Sequence, residues 1–314
     1  MSEQPRDPQD GADSSGSGAP VPRPGAPAPA STDPGARAAD APEHSQDAVP
    51  GGARRTAELA QRLSTVRRRI LDAAAERPED RAHDGALPAL VVVTKFFPAQ
   101  DVLRLRELGV RAVGENKDQE AGPKAREVAQ ALAAQQPPVS APVWHFVGQL
   151  QSNKAKHVVR YASWVHSVDR ASLVTALGRA VRTHRDAAAS GDVAAGPCAA
   201  EDLTCLVQVN LDPEASREDA RGGAHPDTVP GLAREIAETE GLRLGGVMAV
   251  APREGDPREA FERLWAISQQ VRGEHPEATA VSAGMSGDLE AAVAAGATHV
   301  RIGSDVLGPR PAVR

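Results

Sequence analysis

Cysteine is nearly absent from this chain of 314 residues, and both cysteines lie where they do little. Cys198 and Cys205 have neither metal-ligand spacing nor a histidine partner nearby, so a cysteine-based metal site is excluded. Cys205, inside an apolar run, reads as a small core residue, and Cys198, in an Ala/Gly/Pro stretch, as a loop thiol. Long hydrophobic runs are missing too: none approaches the roughly 18 residues that a membrane span needs. The opening "MSEQPRDPQD" has no basic segment followed by an apolar one, so no secretory leader is expected and the expected location is cytoplasmic. There is no Lys/Arg block either. Residues 1–52 carry three Arg against eight Asp/Glu, and this −5 is most of the chain's −6. The remainder is close to neutral and offers no electrostatic footprint for nucleic acid.

The same residues 1–52 hold ten of the 26 prolines, with Gly, Ser and Ala and no apolar period. Such a segment cannot bury enough surface to offset its ordering entropy, so a disordered tail over 1–52 is expected ahead of one domain over 53–314. In that domain, 56–76 begins with an amphipathic helix whose stripe is Leu59, Leu63, Val66, Ile70 and Leu71. Eight short apolar runs follow, at 89–94, 110–113, 143–147, 163–166, 203–209, 244–250, 279–282 and 298–302. Segments of helical spacing lie between them, at 101–108, 171–182, 228–239, 257–272 and 287–295 among others. Strands alternating with helices imply a parallel sheet covered by helices. Eight such units in about 260 residues fit an α/β fold of one (β/α)8 TIM-type barrel with an added N-terminal helix. An open doubly wound sheet competes, but it usually places G-x-G-x-x-G after its first strand, where this chain has "TKFFPAQ". Residues 185–202 read as a surface insertion and 211–227 as a flexible loop at a strand end.

A barrel of this kind works at the C-terminal ends of its strands. Here those ends carry, in order, Lys95, "GEN" (114–116), "GQLQSNK" (148–154), "SVD" (167–169), Asn210, "AP" (251–252), "SAGMSGD" (282–288) and "GSDVLG" (303–308). Loops after strands seven and eight are the recurrent phosphate cradle of the fold. Gly284, Gly287 and Gly303 would let the backbone approach an anion, and Ser286 and Ser304 could donate to it. The plainer alternatives are that these glycines only make turns and that Lys95 only caps a strand. Taken together, an amine and an anion cradle on one rim suggest a phosphorylated carbonyl compound held as a Schiff base. Such an amine must be neutral to attack, so partial desolvation or a nearby cation is expected, and Arg301 could be that cation or could face the ligand's ring. A carboxylate partner for Arg301 is the competing expectation. His145 and His166 read as hydrogen-bonded core rather than catalytic acids. "QSNKAKH" (151–157) is either a second anion contact or a solvated helix start.

The segments "VVVTKFFPAQDV", "GENKDQE", "WHFVGQLQSNKAKHV", "VHSVDR", "LVQVNLD", "GGVMAVAP" and "VSAGMSGDLEAAVAAGATHVRIGSDVLGPR" together closely resemble the pyridoxal phosphate homeostasis family, in order, from about Ala57 to Arg310. The resemblance implies a barrel like the N-terminal half of alanine racemase, with pyridoxal 5′-phosphate (PLP) bound to Lys95 as an internal aldimine. It implies phosphate contacts from Ser286, Gly303 and Ser304, Arg301 at the pyridine nitrogen, and Asn116 near the cofactor. An arginine at that nitrogen disfavours its protonation and weakens the cofactor as an electron sink. Thr94, Phe96, Phe97, Lys117, Ala283, Arg217 and the "RGG" at 221–223 depart from the family's usual residues, and none of these removes an anchor.

Racemases related to this family take a second acid/base, a tyrosine, from an extra β-domain and a partner chain. The one tyrosine here is Tyr161, and no residues for such a domain follow Arg310. Two-sided proton transfer is then unsupported, and the expectation is a carrier or regulator of PLP, not an enzyme. Its expected partners are PLP and the apoenzymes that use it, with a monomer favoured. The alternatives are a PLP-dependent amino-acid racemase or decarboxylase, a cofactor-free Schiff-base aldolase, or a pure interaction protein.

Overall fold

The computed structural model describes residues 48–81, 86–212 and 222–310. Residues 1–47 of the tail expected over 1–52, and Arg217 and Arg221, lie outside these residues. The first helix, α1 (Ala48–Ala75), starts inside the stretch read as tail. Leu59, Leu63, Val66 and Ile70 are buried as the spacing required, whereas Leu71 is 46% exposed, one residue off the buried stripe.

The strands are β1 (Ala89–Val93), β2 (Ala112–Glu115), β3 (Val143–Phe146), β4 (Trp164–Val168), β5 (Leu203–Gln208), β6 (Leu242–Met248), β7 (Ala280–Ser282) and β8 (His299–Ile302). Between them run α2 (Ala99–Glu107), α3 (Asp118–Ala133), α4 (Ala155–Val158), α5 (Ala171–Ala189), α6 (Pro197–Ala200), α7 (Val229–Glu238), α8 (Pro257–Glu274) and α9 (Leu289–Ala294), and α10 (Ser304–Leu307) follows β8. All eight strands pair in parallel with their sequence neighbours, and β8 closes onto β1, with Val91 opposite Arg301 and Val92 opposite Ile302. The (β/α)8 barrel is the observed fold.

Alternation along the strands builds two cores, because successive side chains point to opposite faces. Val92, Val113, Phe146, Val165, Val300 and Ile302 pack outward in the large cluster shared with the helices. Inside lie Leu206, Met248, Ala280 and Trp164. His145 stacks on Trp164 there, with ring centroids 5.2 Å apart.

Several boundaries differ from the sequence reading. β2 lies two residues later than expected because Gly114, read as a turn, is an interior strand position. A Cβ there would come within 3.1 Å of Val91 and 3.3 Å of Val93. β4 runs on through Val168, so Ser167 and Val168 are strand rather than rim. The supposed insertion at 185–202 contains the last turn of α5 and all of α6. Cys198 therefore sits in a helix, not a loop; it is buried, and its thiol lies 3.3 Å from the Ala162 carbonyl oxygen.

Candidate functional site

The rim at the end of β1 carries the amine. The Thr94 N–H continues the ladder to Gly114 O at 2.9 Å, and Lys95 follows in the turn at the C-terminal end of β1. Lys95 is half-buried, and among the described residues no carboxylate pairs with its Nζ. Burial pulls its pKa below the ordinary lysine value, the Arg310 guanidinium pulls it further, and the Glu115 carboxylate opposes both. A cation that lowers the Lys95 pKa is thus Arg310, whereas the sequence offered Arg301 for that task or for facing the ligand's ring.

The loops after β7 and β8 bring Ser286 Oγ and Ser304 Oγ to 3.3 Å from each other. A Cβ on Gly303 would stand 3.3 Å from the carbonyl oxygen of Val93, so glycine lets the β8 loop lie close against the strand that carries Lys95. Closure of β8 on β1 makes the β8 loop a direct neighbour of the lysine on the rim they share. Arg69 of α1 ties the two loops together, donating to Ser286 O at 3.0 Å, Glu290 Oε1 at 2.7 Å and Asp305 Oδ2 at 2.7 Å. Nothing in the "RRR" of 67–69 marked its last arginine for this task.

Arg301 is buried inside the barrel and donates to Ser282 Oγ at 2.7 Å and to Ala249 O at 2.8 Å. Both acceptors are neutral. Burial lowers its pKa to about 10, with only the more distant Asp288 charge opposing. The expected alternative, a carboxylate ion pair, is not what holds it. Below Arg301, His166 Nδ1 lies 3.0 Å from Ser282 Oγ, and His166 Nε2 lies 2.8 Å from His145 Nδ1. Burial and the nearby His299 hold His145 down to about 3, and burial with the surrounding cationic groups holds His166 well below its ordinary value. Both rings are neutral near pH 7, which suits core residues and not general acids.

Asn116 follows β2 against the β3 loop, where a Cβ on Gly148 would collide with its carbonyl oxygen. Its buried side-chain Oδ1 has no hydrogen-bond partner. Lys95, Gly303, Ser304 and Ser286 therefore meet along one arc of the rim, Arg301 rises from the interior beside them, and Asn116 sits one strand further on. The "QSNKAKH" residues Lys154 and His157 do not join them. They line a separate groove of about 1050 Å3 beside Trp144 and Tyr161.

Residues 80–311 match the family model described as alanine racemase, N-terminal domain. The pyridoxal phosphate homeostasis protein of Mycobacterium tuberculosis (strain H37Rv) is 42% identical over 261 residues, covering 82% of this chain and 94% of that protein. The chain belongs to the pyridoxal phosphate homeostasis protein family. The Corynebacterium glutamicum member is 39% identical over 222 residues, covering 71% of this chain and 90% of its own length. Among solved structures, the family member PipY of Synechococcus elongatus, determined with PLP bound, aligns with a TM-score of 0.60 at 25% identity, covering 80% of this chain and all of PipY. Among the described residues of this family member, no helix is long and apolar enough to cross a membrane, and no cluster of His, Cys, Asp or Glu is placed to hold a metal ion.

Proposed function

We propose that this protein binds PLP reversibly through Lys95 and serves the supply of that cofactor inside the cell, without efficient turnover of an amino acid. The observation that carries the reading is an amine with a lowered pKa and no carboxylate partner, set at the barrel mouth beside a two-hydroxyl seat on the neighbouring strand. PLP fits these residues. The hydroxyls of Ser286 and Ser304 and the close backbone approach at Gly303 would hold its phosphate. Arg301, whose charge no bound carboxylate cancels, would face its ring nitrogen, and Asn116 would supply an unsatisfied buried acceptor near the mouth. When bound, the cofactor would supply an aldehyde and Lys95 the amine that could condense with it, with loss of one water. Arg301 disfavours a proton on the ring nitrogen and so restrains carbanion chemistry.

The absence of efficient turnover has its own support. Tyr161 precedes β4, packs edge-on against Trp144 and feels the carboxylates of Asp118 and Glu115. Burial pushes its hydroxyl well above the ordinary tyrosine range. The chain's one tyrosine, packed outside the barrel interior with a hydroxyl that resists ionisation, is unsuited to a second acid/base role. Apoenzymes that use PLP are the proposed recipients, and a monomer is the proposed working form.

Adding PLP to the apoprotein tests the reading. A visible absorbance band that grows to one equivalent, is absent in Lys95→Ala, and accompanies no steady turnover of added amino acids is the expected result. Steady racemisation or decarboxylation that is lost in Lys95→Ala would make the protein an enzyme, and a colourless protein unchanged by PLP would favour the aldolase.

A further inference from the structure

Directly behind Lys95, in the layer between barrel and helices, lies a buried charged cluster. Thr94 and Glu115 are both 0% exposed, and Lys124 of α3 is 9% exposed. Lys124 Nζ donates to Glu115 Oε1 at 2.6 Å and to the main-chain oxygen of Thr94 at 2.9 Å. Thr94 Oγ1 donates to the same Oε1 at 2.6 Å. One carboxylate oxygen therefore ties β1, β2 and α3 together, while the other, Oε2, is buried without a partner. Desolvating such a pair costs about what the pair returns, so stability alone does not account for it.

The Thr94 carbonyl also accepts from the Phe97 N–H at 3.1 Å, which closes a four-residue turn with Lys95 and Phe96 at its centre. Phe96 has φ of 70°, a left-handed conformation that a turn of this kind normally assigns to glycine or asparagine. An aromatic residue there is strained, and strain of that sort persists only where the surroundings over-determine it. The surroundings do: Lys124 holds the first carbonyl of the turn, and the Phe96 ring lies 4.6 Å from Arg310 Cζ and 5.7 Å from Lys117 Nζ.

We propose that Glu115 and Lys124 are positioning residues, which pin the Thr94 carbonyl so that the strained turn presents the Lys95 amine to its ligand. The proposal rests on Lys95 being the residue that captures PLP. Loss of the clamp lets Phe96 relax to negative φ and swings the amine away from the seat on β8.

The test is the rate at which apoprotein captures PLP, followed by its visible band, with the thermal midpoint as a control for folding. In Glu115→Gln/Lys124→Met, which is neutral and close in shape, capture is expected to slow about tenfold, as small displacements of a reacting group do. Adding Phe96→Gly, which holds positive φ without strain, is expected to restore most of the rate, an effect that mere repair of packing would not produce. Wild-type capture in the double variant, or no recovery with glycine, overturns the proposal. If the double variant does not fold, Thr94→Val against Thr94→Ser decides: slow capture in valine and normal capture in serine support the clamp, and equal rates overturn it. Borohydride trapping of the wild type separates the two claims. An adduct on another lysine defeats the functional reading and this inference with it, whereas an adduct on Lys95 with unchanged variant rates defeats this inference alone.

Discussion

An amine that attacks a carbonyl must first lose its proton, and the residues around Lys95 act on that equilibrium. Burial and Arg310 both lower its pKa in the folded chain, while the unfolded chain keeps the ordinary value near 10.5. Between the two values the unfolded state binds more protons, so the folded state gains stability as pH rises through that window. Below the lowered value the lysine carries its full penalty of partly buried charge. Lys95→Met is therefore expected to be the more stable protein at neutral pH, with its advantage shrinking as pH rises toward 10.5. Thermal midpoints of the two apoproteins across that range measure the effect, and a constant difference would contradict it. Lys95 itself was legible in the sequence, since an apolar run delivering a lysine to a strand end is a local pattern. Arg310 was not: its charge acts on the amine from the far end of the chain, and nothing in "GPR" marks it for that effect.

Helix α1 braces the loops at the rim, and strand β6 shapes the barrel wall. Arg69 spans the loops after β7 and β8 by ion pairs to Glu290 and Asp305 and a bond to Ser286 O. Arg69→Ala should free the two hydroxyls to separate, weakening PLP affinity several-fold while the thermal midpoint moves little, because partly exposed ion pairs contribute little to stability. Titration of the variant with PLP checks this. In β6, Gly246 has φ of 143° at the point where the β5–β6 register shifts between Cys205 and Leu206, and a Cβ there would strike the Ala280 carbonyl. Gly246→Ala should cost about 3 kcal/mol or more in chemical denaturation, because a β7 main-chain atom has to move. At this scale the sequence conveyed the kind and order of the elements and misplaced some of their ends. Period and composition reveal a strand, but Gly114 has the composition of a turn and the environment of a barrel interior. Glu115 and Lys124 escaped notice for a related reason: each looks like a solvated charge until the fold lays α3 against β2.

Closure is what the whole molecule adds. Eight alternating units made the barrel readable, and the pairing of β8 with β1 sets the serine loops next to the lysine. The same closure leaves an interior of neutral histidines and an arginine held by neutral acceptors, with Tyr161 outside it. The most direct test of the central claim is mass spectrometry of the full-length protein after incubation with PLP and borohydride reduction. The account predicts one reduced adduct, on the peptide containing Lys95; an adduct on any other lysine, with Lys95 unmodified, would contradict it.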